Sequence, residues 1–176
     1  MLFEEIPAKP ASASRVSLAI IIEPGQANAF GTLHGGVILR LADECGGVAA
    51  LRHAGKGQIT TAAIDSMTFL EPVYVGERVE ITAEVTYVGR TSIETRIEVF
   101  AEPIELAERR KVAVGYGLYV ALDETGRRPR PVPPLLISTE ADRLGHEAGR
   151  ARQAVRLARR ADAQAHRTAD DARSSS

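Results

Sequence analysis

The sequence predicts an α+β fold in which one long helix packs against an antiparallel sheet of about five strands. Four segments between residues 58 and 122 read as strands, and only short connections separate them. Short connections between successive strands favour antiparallel pairing. Residues 35–53 instead have helical periodicity, so one helix and one sheet would bury their apolar faces against each other.

The first predicted strand covers residues 15–22, where β-branched and apolar residues are followed by a turn-forming Pro-Gly pair. The long helix comes next, and a glycine-rich segment closes it at residues 54–57. Residues 127–134 are rich in proline and arginine and are predicted to be extended. The remaining four strands are predicted at residues 58–70, 78–88, 92–102 and 110–122.

The predicted helix has two unlike faces. One face is apolar and is predicted to pack on the sheet; it consists of Ile38, Leu41, Ala42, Cys45, Val48 and Ala49. The opposite face carries Gly36, Arg40, Asp43 and Gly47. Each glycine in a helix costs about 0.8–1 kcal/mol relative to alanine. We therefore expect a ligand or a second subunit to approach the helix backbone closely on that face.

Asp43 lies on this glycine-bearing face, either as an ordinary solvated acid or as a general base in a cleft between subunits. The preceding loop favours the second interpretation. It contains Asn28, and Gly35 and Gly36 open the helix, whose free N–H groups can polarise a carbonyl oxygen. His34, beside the glycines, either contacts the ligand or structures the loop.

Other kinds of site are disfavoured by spacing. His34 and His53 are far apart, with no cysteine or carboxylate at metal-ligand spacing, so no metal site is predicted. Cys45 falls in the apolar face, where it is predicted to be a packing residue. The chain has no nucleophile elbow, P-loop or dinucleotide-binding glycine motif, and Gly115 and Gly117 are interpreted as a bend in the sheet.

The composition is that of one globular domain. The 176 residues are 44% hydrophobic, and the net charge of −1 does not point to nucleic acid or an anionic membrane as partner. The acidic N-terminus does not resemble a signal peptide, and no apolar run approaches a membrane span. With a single cysteine, the expected location is the cytoplasm.

The chain is predicted to divide into a body, residues 1–137, and a C-terminal helix rich in alanine and arginine, residues 138–176. Ser138 or Thr139 could cap this helix, and its end is expected to fray after His166. Six acids interleave with its eight arginines, which disfavours nucleic acid as its partner. Docking on the body or on a neighbouring subunit is predicted through a weak apolar stripe: Leu144, Ala148, Ala151, Val155 and Ala158.

Residues 28–44 read Asn-Ala-Phe-Gly-Thr-Leu-His-Gly-Gly-Val-Ile-Leu-Arg-Leu-Ala-Asp-Glu. The loop asparagine, the Gly-Gly helix start and the acid seven residues after the second glycine resemble the hotdog-fold acyl-CoA thioesterases. Further motifs at residues 69–77, 88–92 and 113–134, together with the arginine-rich helix, resemble the cytosolic acyl-CoA hydrolase branch. The resemblance covers about residues 14–160, and its ordered set of motifs is specific.

The resemblance implies a long helix wrapped by an antiparallel sheet, with two domains pairing side by side and the active sites between them. Asp43 would be the general base or nucleophile, and Asn28 from the facing subunit would orient water or the thioester. The Gly36 N–H would receive the oxyanion. His34 and Gly35 would contact the substrate, and the implied contacts to coenzyme A are Gly89, Arg90, Thr91 and Ser92. Family members assemble further, often as hexamers built from three dimers.

The reaction that this resemblance implies is the hydrolysis of a fatty acyl-CoA to a fatty acid and free coenzyme A, a step in fatty acid metabolism. No metal or organic cofactor is expected, since the thioester is already activated. Two alternatives stay open. The branch that hydrolyses small aromatic acyl-CoA esters shares the His-Gly-Gly motif and the acid, and a non-catalytic acyl-CoA binder or sensor could use the same fold.

Overall fold

A computed structural model describes residues 6–106 and 108–174 of the chain. The elements in chain order are β1 (Lys9–Pro10), a 3-10 helix (Ala11–Ser14), β2 (Val16–Ile21), a 3-10 helix (Pro24–Gln26), α1 (Gly35–Ala54), β3 (Gln58–Phe69), β4 (Arg78–Val88), β5 (Ser92–Glu102), β6 (Arg110–Leu122), β7 (Leu135–Leu136) and α2 (Glu140–Ser174). None of the helices in these ranges is long and apolar enough to cross a membrane.

The main sheet has five strands in the order β2-β4-β5-β6-β3, and every neighbouring pair is antiparallel. This confirms the α+β fold class that the sequence predicts, with its long helix and its C-terminal helix. The two end strands, β2 and β3, each leave one edge unpaired within the chain. The twelve-residue edge of β3 therefore carries backbone donors and acceptors that a further strand can pair with.

A second, two-stranded sheet joins the ends of the body and was not predicted from the sequence. β1 pairs with β7 in parallel, and the Lys9 N–H donates to the Pro134 carbonyl at 2.9 Å. Each of these strands has two residues, which is too short to show a period of two.

The core lies between α1 and the inner face of the sheet. The buried strand residues alternate along β4 and β5, as the period of two requires; they are Val79, Ile81, Ala83, Val85, Ile93, Ile97 and Val99. From the helix, five of the six predicted core residues are buried: Ile38, Leu41, Ala42, Cys45 and Ala49. Burial of this apolar surface is the main favourable contribution to folding.

The sixth residue, Val48, was predicted to face the sheet, and this prediction is wrong. Val48 is 51% exposed, and the buried arc of α1 instead continues to Gly46 and Ala50. A methyl group at Gly46 would overlap the hydroxyl of Tyr119 on β6, so the missing side chain lets the helix pack closely over that ring. The helix is therefore rolled toward Gly46, which turns Val48 outward.

The C-terminal helix α2 crosses the outer face of the sheet, opposite α1. Its Arg152 donates two hydrogen bonds to the fully buried Glu94 of β5, at 3.0 and 2.8 Å, and Arg156 bonds the same carboxylate. Arg156 also forms an ion pair with Asp65 of β3 at 3.0 Å. Gly149 allows this approach, since a Cβ there would collide with Tyr87.

On the body of its own chain, this helix docks through its arginine face and not through the apolar stripe; docking of the stripe on a neighbouring subunit stays a prediction. The apolar stripe points away from the body, with Leu144 54% and Val155 50% exposed. The outer face of the sheet presents carboxylates and a tyrosine ring to α2, so the arginine face of the helix packs there instead. The helix extends to Ser174.

Candidate active site

Asp43 lies half-buried on α1 and lines a groove between this helix and the edge strand β3. The groove has a volume of about 560 Å³. The Thr61 hydroxyl of β3 donates to Asp43 Oδ1 at 2.8 Å, while Oδ2 has no hydrogen bond within the described residues. One carboxylate oxygen is thus held in place and the other faces the groove, as a base that accepts a proton requires.

Tyr119, on β6, contacts the same turn of α1 from the side of the sheet. Its hydroxyl donates to the Asp43 main-chain oxygen at 3.2 Å, and its side chain is fully buried. Burial raises the pKa of Tyr119 above its usual range, and the nearby Asp43 carboxylate acts in the same direction. The phenol therefore stays protonated and remains a donor. Sequence reasoning missed both Thr61 and Tyr119, because neither is close to Asp43 along the chain.

Asn28 lies in the loop before α1 and does not line the Asp43 groove of its own chain. Its Oδ1 accepts from the Phe30 N–H at 2.9 Å and the Thr32 N–H at 3.2 Å, and its Nδ2 donates to the Thr32 hydroxyl at 2.9 Å. The second amide N–H has no partner among the residues that the structure describes, since an asparagine side chain carries two donors. The same turn presents the Phe30 ring to solvent, 91% exposed.

His34 is the N-cap of α1, and its Nδ1 accepts the Gly36 N–H at 2.9 Å. The side chain of His34 therefore structures the start of α1, and its contact with a ligand stays a prediction. Gly35 faces the Phe69 ring at the far end of β3. The Gly36 N–H, predicted to receive the oxyanion, donates to His34 in this structure.

The predicted coenzyme A contacts form the turn between β4 and β5. The Gly89 N–H donates to the Ser92 carbonyl at 2.8 Å, and the carbonyls of Thr91 and Arg90 accept from residues 121 and 132. Ser92 pairs with Val120 of β6, which in turn pairs with Thr60 of β3. The turn therefore lies at the same height along the strands as the Asp43 groove. Across the sheet, the two are separated by two strand spacings, or roughly 10 Å.

The predicted site residues thus fall in three places within one chain. Asn28, His34, Gly35 and Gly36 lie at the start of α1, Asp43 lies two helical turns further on, and the β4–β5 turn lies across the sheet. Gly36 and Asp43 are seven residues apart, which is about 10 Å along a helix axis. One chain does not bring them to a common point.

Cys45 is buried, and burial raises the pKa of its thiol to about 11, so it stays protonated and does not act as a nucleophile. His53 is also buried, with Nε2 2.9 Å from the Pro133 carbonyl. Across the ranges that the structure describes, no three His, Cys, Asp or Glu side chains converge on a point that could hold a metal ion.

Comparison with known proteins places this chain and its fold in a family. Residues 30–108 match the model of the thioesterase superfamily. An uncharacterized acyl-CoA thioester hydrolase of Zymomonas mobilis is 36% identical over 137 residues, which cover 76% of this chain and 91% of that protein. The chain belongs to the thioesterase superfamily. The family recognised from the sequence motifs is thereby confirmed.

A mouse protein, the cytosolic acyl coenzyme A thioester hydrolase, is 32% identical over 151 residues. The match covers 85% of this thioesterase-superfamily chain but 39% of the mouse protein. The chain therefore spans about two fifths of the length of this relative, and 39% of that of its rat counterpart.

Solved structures agree with the fold. An apo-hexameric acyl-CoA thioesterase superposes with a TM-score of 0.82 at 33% identity, covering 89% of this chain and 99% of the other. An acyl-CoA hydrolase of Staphylococcus aureus, in complex with butyryl coenzyme A, coenzyme A and coenzyme A disulfide, gives a TM-score of 0.82 at 28% identity. That match covers 90% of this chain and 95% of the other, and the predicted hotdog fold is confirmed.

Proposed function

We propose that this protein hydrolyses acyl-CoA thioesters at a site shared by two copies of the chain. The observation that carries the proposal is the Asp43 carboxylate, which Thr61 holds by one oxygen in a groove beside the open edge of β3. Asn28 and Gly36 would reach the same thioester from the second copy. The names of the mouse and Zymomonas mobilis relatives support the reaction class.

Distance supports a site made by two copies. If Asp43 attacks the thioester carbon directly, a hydrogen bond to the thioester oxygen and an approach to its carbon of about 3–3.5 Å leave little more than 7 Å between Asp43 and the oxyanion donor. Gly36 and Asp43 of one chain are about 10 Å apart along α1. If two β3 edges pair antiparallel about a two-fold axis, the two α1 helices also run antiparallel, and the start of each faces the middle of the other.

Asp43 acts on the thioester carbon in one of two ways. As a general base, it takes a proton from water while the water oxygen attacks, and the tetrahedral intermediate expels the coenzyme A thiolate, which recovers that proton. As a nucleophile, Asp43 itself attacks the thioester carbon, the C–S bond breaks and the coenzyme A thiolate leaves, which gives an anhydride. Water then hydrolyses the anhydride, and the proton that this step releases goes to the thiolate. Either route yields a carboxylic acid and free coenzyme A, and neither route requires a metal or an organic cofactor.

The oxyanion needs donors, and the start of α1 supplies them. The Gly36 N–H would exchange its bond to His34 for one to the substrate oxygen, in a region where the helix dipole already favours negative charge. The free amide N–H of Asn28 is a second donor for the oxyanion or the attacking water. His34 thus keeps the Gly36 N–H hydrogen-bonded until a substrate oxygen replaces the imidazole nitrogen.

The names of the relatives support proposals for the oligomeric state, the location and the first substrates to test. We propose assembly of three dimers into a hexamer, as the apo-hexameric neighbour supports. The cytoplasm is the proposed location, which the name of the mouse relative supports. Saturated short-chain esters are a sensible starting substrate, given the butyryl coenzyme A bound to the Staphylococcus aureus hydrolase.

The decisive experiment is thiol release from short, medium, long and aromatic acyl-CoA esters, with Asp43→Asn run in parallel. The variant should lose turnover and keep coenzyme A binding. Glu84→Gln is the matched control, because Glu84 is an acid that pairs with Arg15 and does not line this groove. No turnover of any ester by the unchanged protein, with coenzyme A still bound, would instead indicate a binder or sensor.

A further inference from the structure

Three arginines of the body differ from the others in their side-chain contacts. Among residues 6–137, the structure gives Arg90, Arg127 and Arg128 no side-chain hydrogen bond or ion pair with any described residue, and all three are exposed. The other arginines of this range all have such a partner; they are Arg15, Arg40, Arg52, Arg78, Arg96, Arg109, Arg110 and Arg130.

The three unpaired arginines lie at one end of the sheet. Arg90 is in the β4–β5 turn, and Arg127 and Arg128 are in the loop that follows β6. Backbone bonds join these two segments, since the Val132 N–H donates to the Arg90 carbonyl at 3.2 Å and the Ala121 N–H to the Thr91 carbonyl at 2.9 Å. We call this set of three residues the arginine cluster.

The charges around the arginine cluster leave it positive. Lys56, in the turn between α1 and β3, adds a further cation at this end. The facing acids are Asp123 and Glu124 of the loop itself. Asp123 Oδ1 accepts from Thr125 and from the Arg127 N–H, so this carboxylate is engaged in the turn and orients the loop.

The Asp43 groove leads to this cluster. It runs from Asp43 and Thr61 past Ile59 to Gln58 at the start of β3. The Gln58 amide donates to the Glu124 carbonyl at 3.1 Å, which fixes the arginine-bearing loop at the end of the groove. From Thr61 to Gln58 is about 10 Å along the strand, and an arginine side chain extends the reach further.

We infer that the arginine cluster binds the phosphate groups of coenzyme A, with Arg127 and Arg128 as the residues that the sequence analysis did not assign. This inference rests on the proposed function. The thioester would lie at Asp43, the pantetheine arm along the groove, and the nucleotide phosphates at the loop after β6. Guanidinium groups suit this role, because their planar donors match phosphate oxygens in pairs.

The test is the double variant Arg127→Ala/Arg128→Ala. Its control is Arg150→Ala/Arg159→Ala, which removes the same charge from exposed positions of α2. Each protein is assayed with one acyl group carried on coenzyme A, on 3′-dephospho-coenzyme A and on N-acetylcysteamine, which has neither nucleotide nor phosphate. Isothermal titration with free coenzyme A gives binding independently of turnover.

For the cluster variant we expect the KM for acyl-CoA to rise about tenfold with kcat nearly unchanged, as charge-assisted hydrogen bonds to phosphate are lost. kcat/KM for the N-acetylcysteamine ester should not change. A smaller loss with the dephospho ester would assign part of the contact to the 3′-phosphate. An equal loss with it would assign the contact to the diphosphate, and either result supports the site.

Three results would overturn the inference. One is an equal rise in KM in the α2 control, and another is an equal loss of kcat/KM with the N-acetylcysteamine ester. The third is coenzyme A affinity that does not change in the cluster variant. If no thioester is hydrolysed by the unchanged protein, the proposed function fails, and the titration with coenzyme A still decides whether the cluster binds phosphate.

Discussion

Asp43 presents two unlike carboxylate oxygens, one bonded to Thr61 and one free to face the groove. The Tyr119 hydroxyl meanwhile bonds the main-chain oxygen of the same residue, so both the side chain and the backbone of Asp43 are fixed by strands. Positioning of this kind lowers the cost of reaching the reactive geometry, since less reorganisation is needed when the substrate arrives.

Thr61→Val should reduce kcat about tenfold with little change in KM. A hydrogen bond to a charged group is worth about 1.5–3 kcal/mol, and tenfold corresponds to about 1.4 kcal/mol. Steady-state kinetics on one acyl-CoA ester measures the effect. Thr60→Val is the matched control, because Thr60 is exposed on the same strand and the structure gives it no bond to Asp43. Equal losses in the two variants would mean that the bond has no role in positioning.

At the scale of the elements, α2 is held to the sheet by charge more than by apolar contact. Glu94 is completely buried beneath the helix and is surrounded by Arg152, Arg156 and Thr86. Breaking a buried ion pair by removing one partner is strongly destabilising, because it leaves an uncompensated charge. The exposed stripe on the other side of α2 leaves an apolar surface available to a neighbouring subunit.

Docking of α2 should weaken in acid. Burial by itself would raise the pKa of Glu94, but hydrogen bonds from Arg152, Arg156 and Thr86 outweigh it and hold the pKa below its ordinary value of 4.5. A carboxyl group with a lowered pKa in the folded state stabilises that state at pH values above 4.5. This contribution is lost as the pH falls through the lower folded value. Limited proteolysis of α2 as a function of pH measures it.

Glu94→Gln should remove most of that pH dependence and cost up to about 3 kcal/mol of docking free energy at neutral pH. Glu98→Gln on the same strand is the control, since Glu98 pairs with Arg96 and Lys111 at the partly exposed outer face. The docking mechanism would be wrong if both variants were cleaved at the same rate, or if Glu94→Gln kept the acid response of the unchanged protein.

The molecule as a whole has an open edge at β3 and a proposed site that one chain does not complete. The residues at the start of α1 and the Asp43 groove are separated by two helical turns, whereas the proposed pairing of two β3 edges would bring them together. The exposed Phe30 lies on the Asn28 loop and would enter the same interface. An exposed aromatic side chain on a well-bonded loop is typical of an interface anchor.

A site shared between subunits predicts complementation. Asp43→Asn and Asn28→Ala should each be inactive alone, and each should recover activity when unfolded and refolded together with the other. Half of the randomly formed dimers are mixed, and each mixed dimer holds one intact and one doubly altered site, so about a quarter of the original activity is expected. Recovery of no activity, with mixed dimers demonstrated by mass spectrometry, would place both residues in the same subunit's site.

The local pattern of apolar and polar residues predicted much of the fold. Alternation along β4 and β5 predicted the strands to within a residue, and periodicity predicted α1 to its last turn. The reason is that a half-buried element must repeat its apolar residues with the period of its own geometry. Val48 was mispredicted for a reason that lies outside the local pattern. An apolar stripe shows which face of a helix is apolar, but the packing partner decides which face is buried.

The sequence by itself determined the α+β fold, the family, and the candidate residues at Asn28, Gly36 and Asp43, because these depend on periodicity and on motifs that are contiguous along the chain. The tertiary structure alone decided that Thr61 and Tyr119 hold Asp43, that His34 occupies the Gly36 N–H, and that Glu94 anchors α2. It also placed Gln58, at the end of the groove, in hydrogen-bond contact with the loop that carries Arg127 and Arg128. These contacts join residues distant along the chain, and their partners are fixed only when the helix and the sheet have packed.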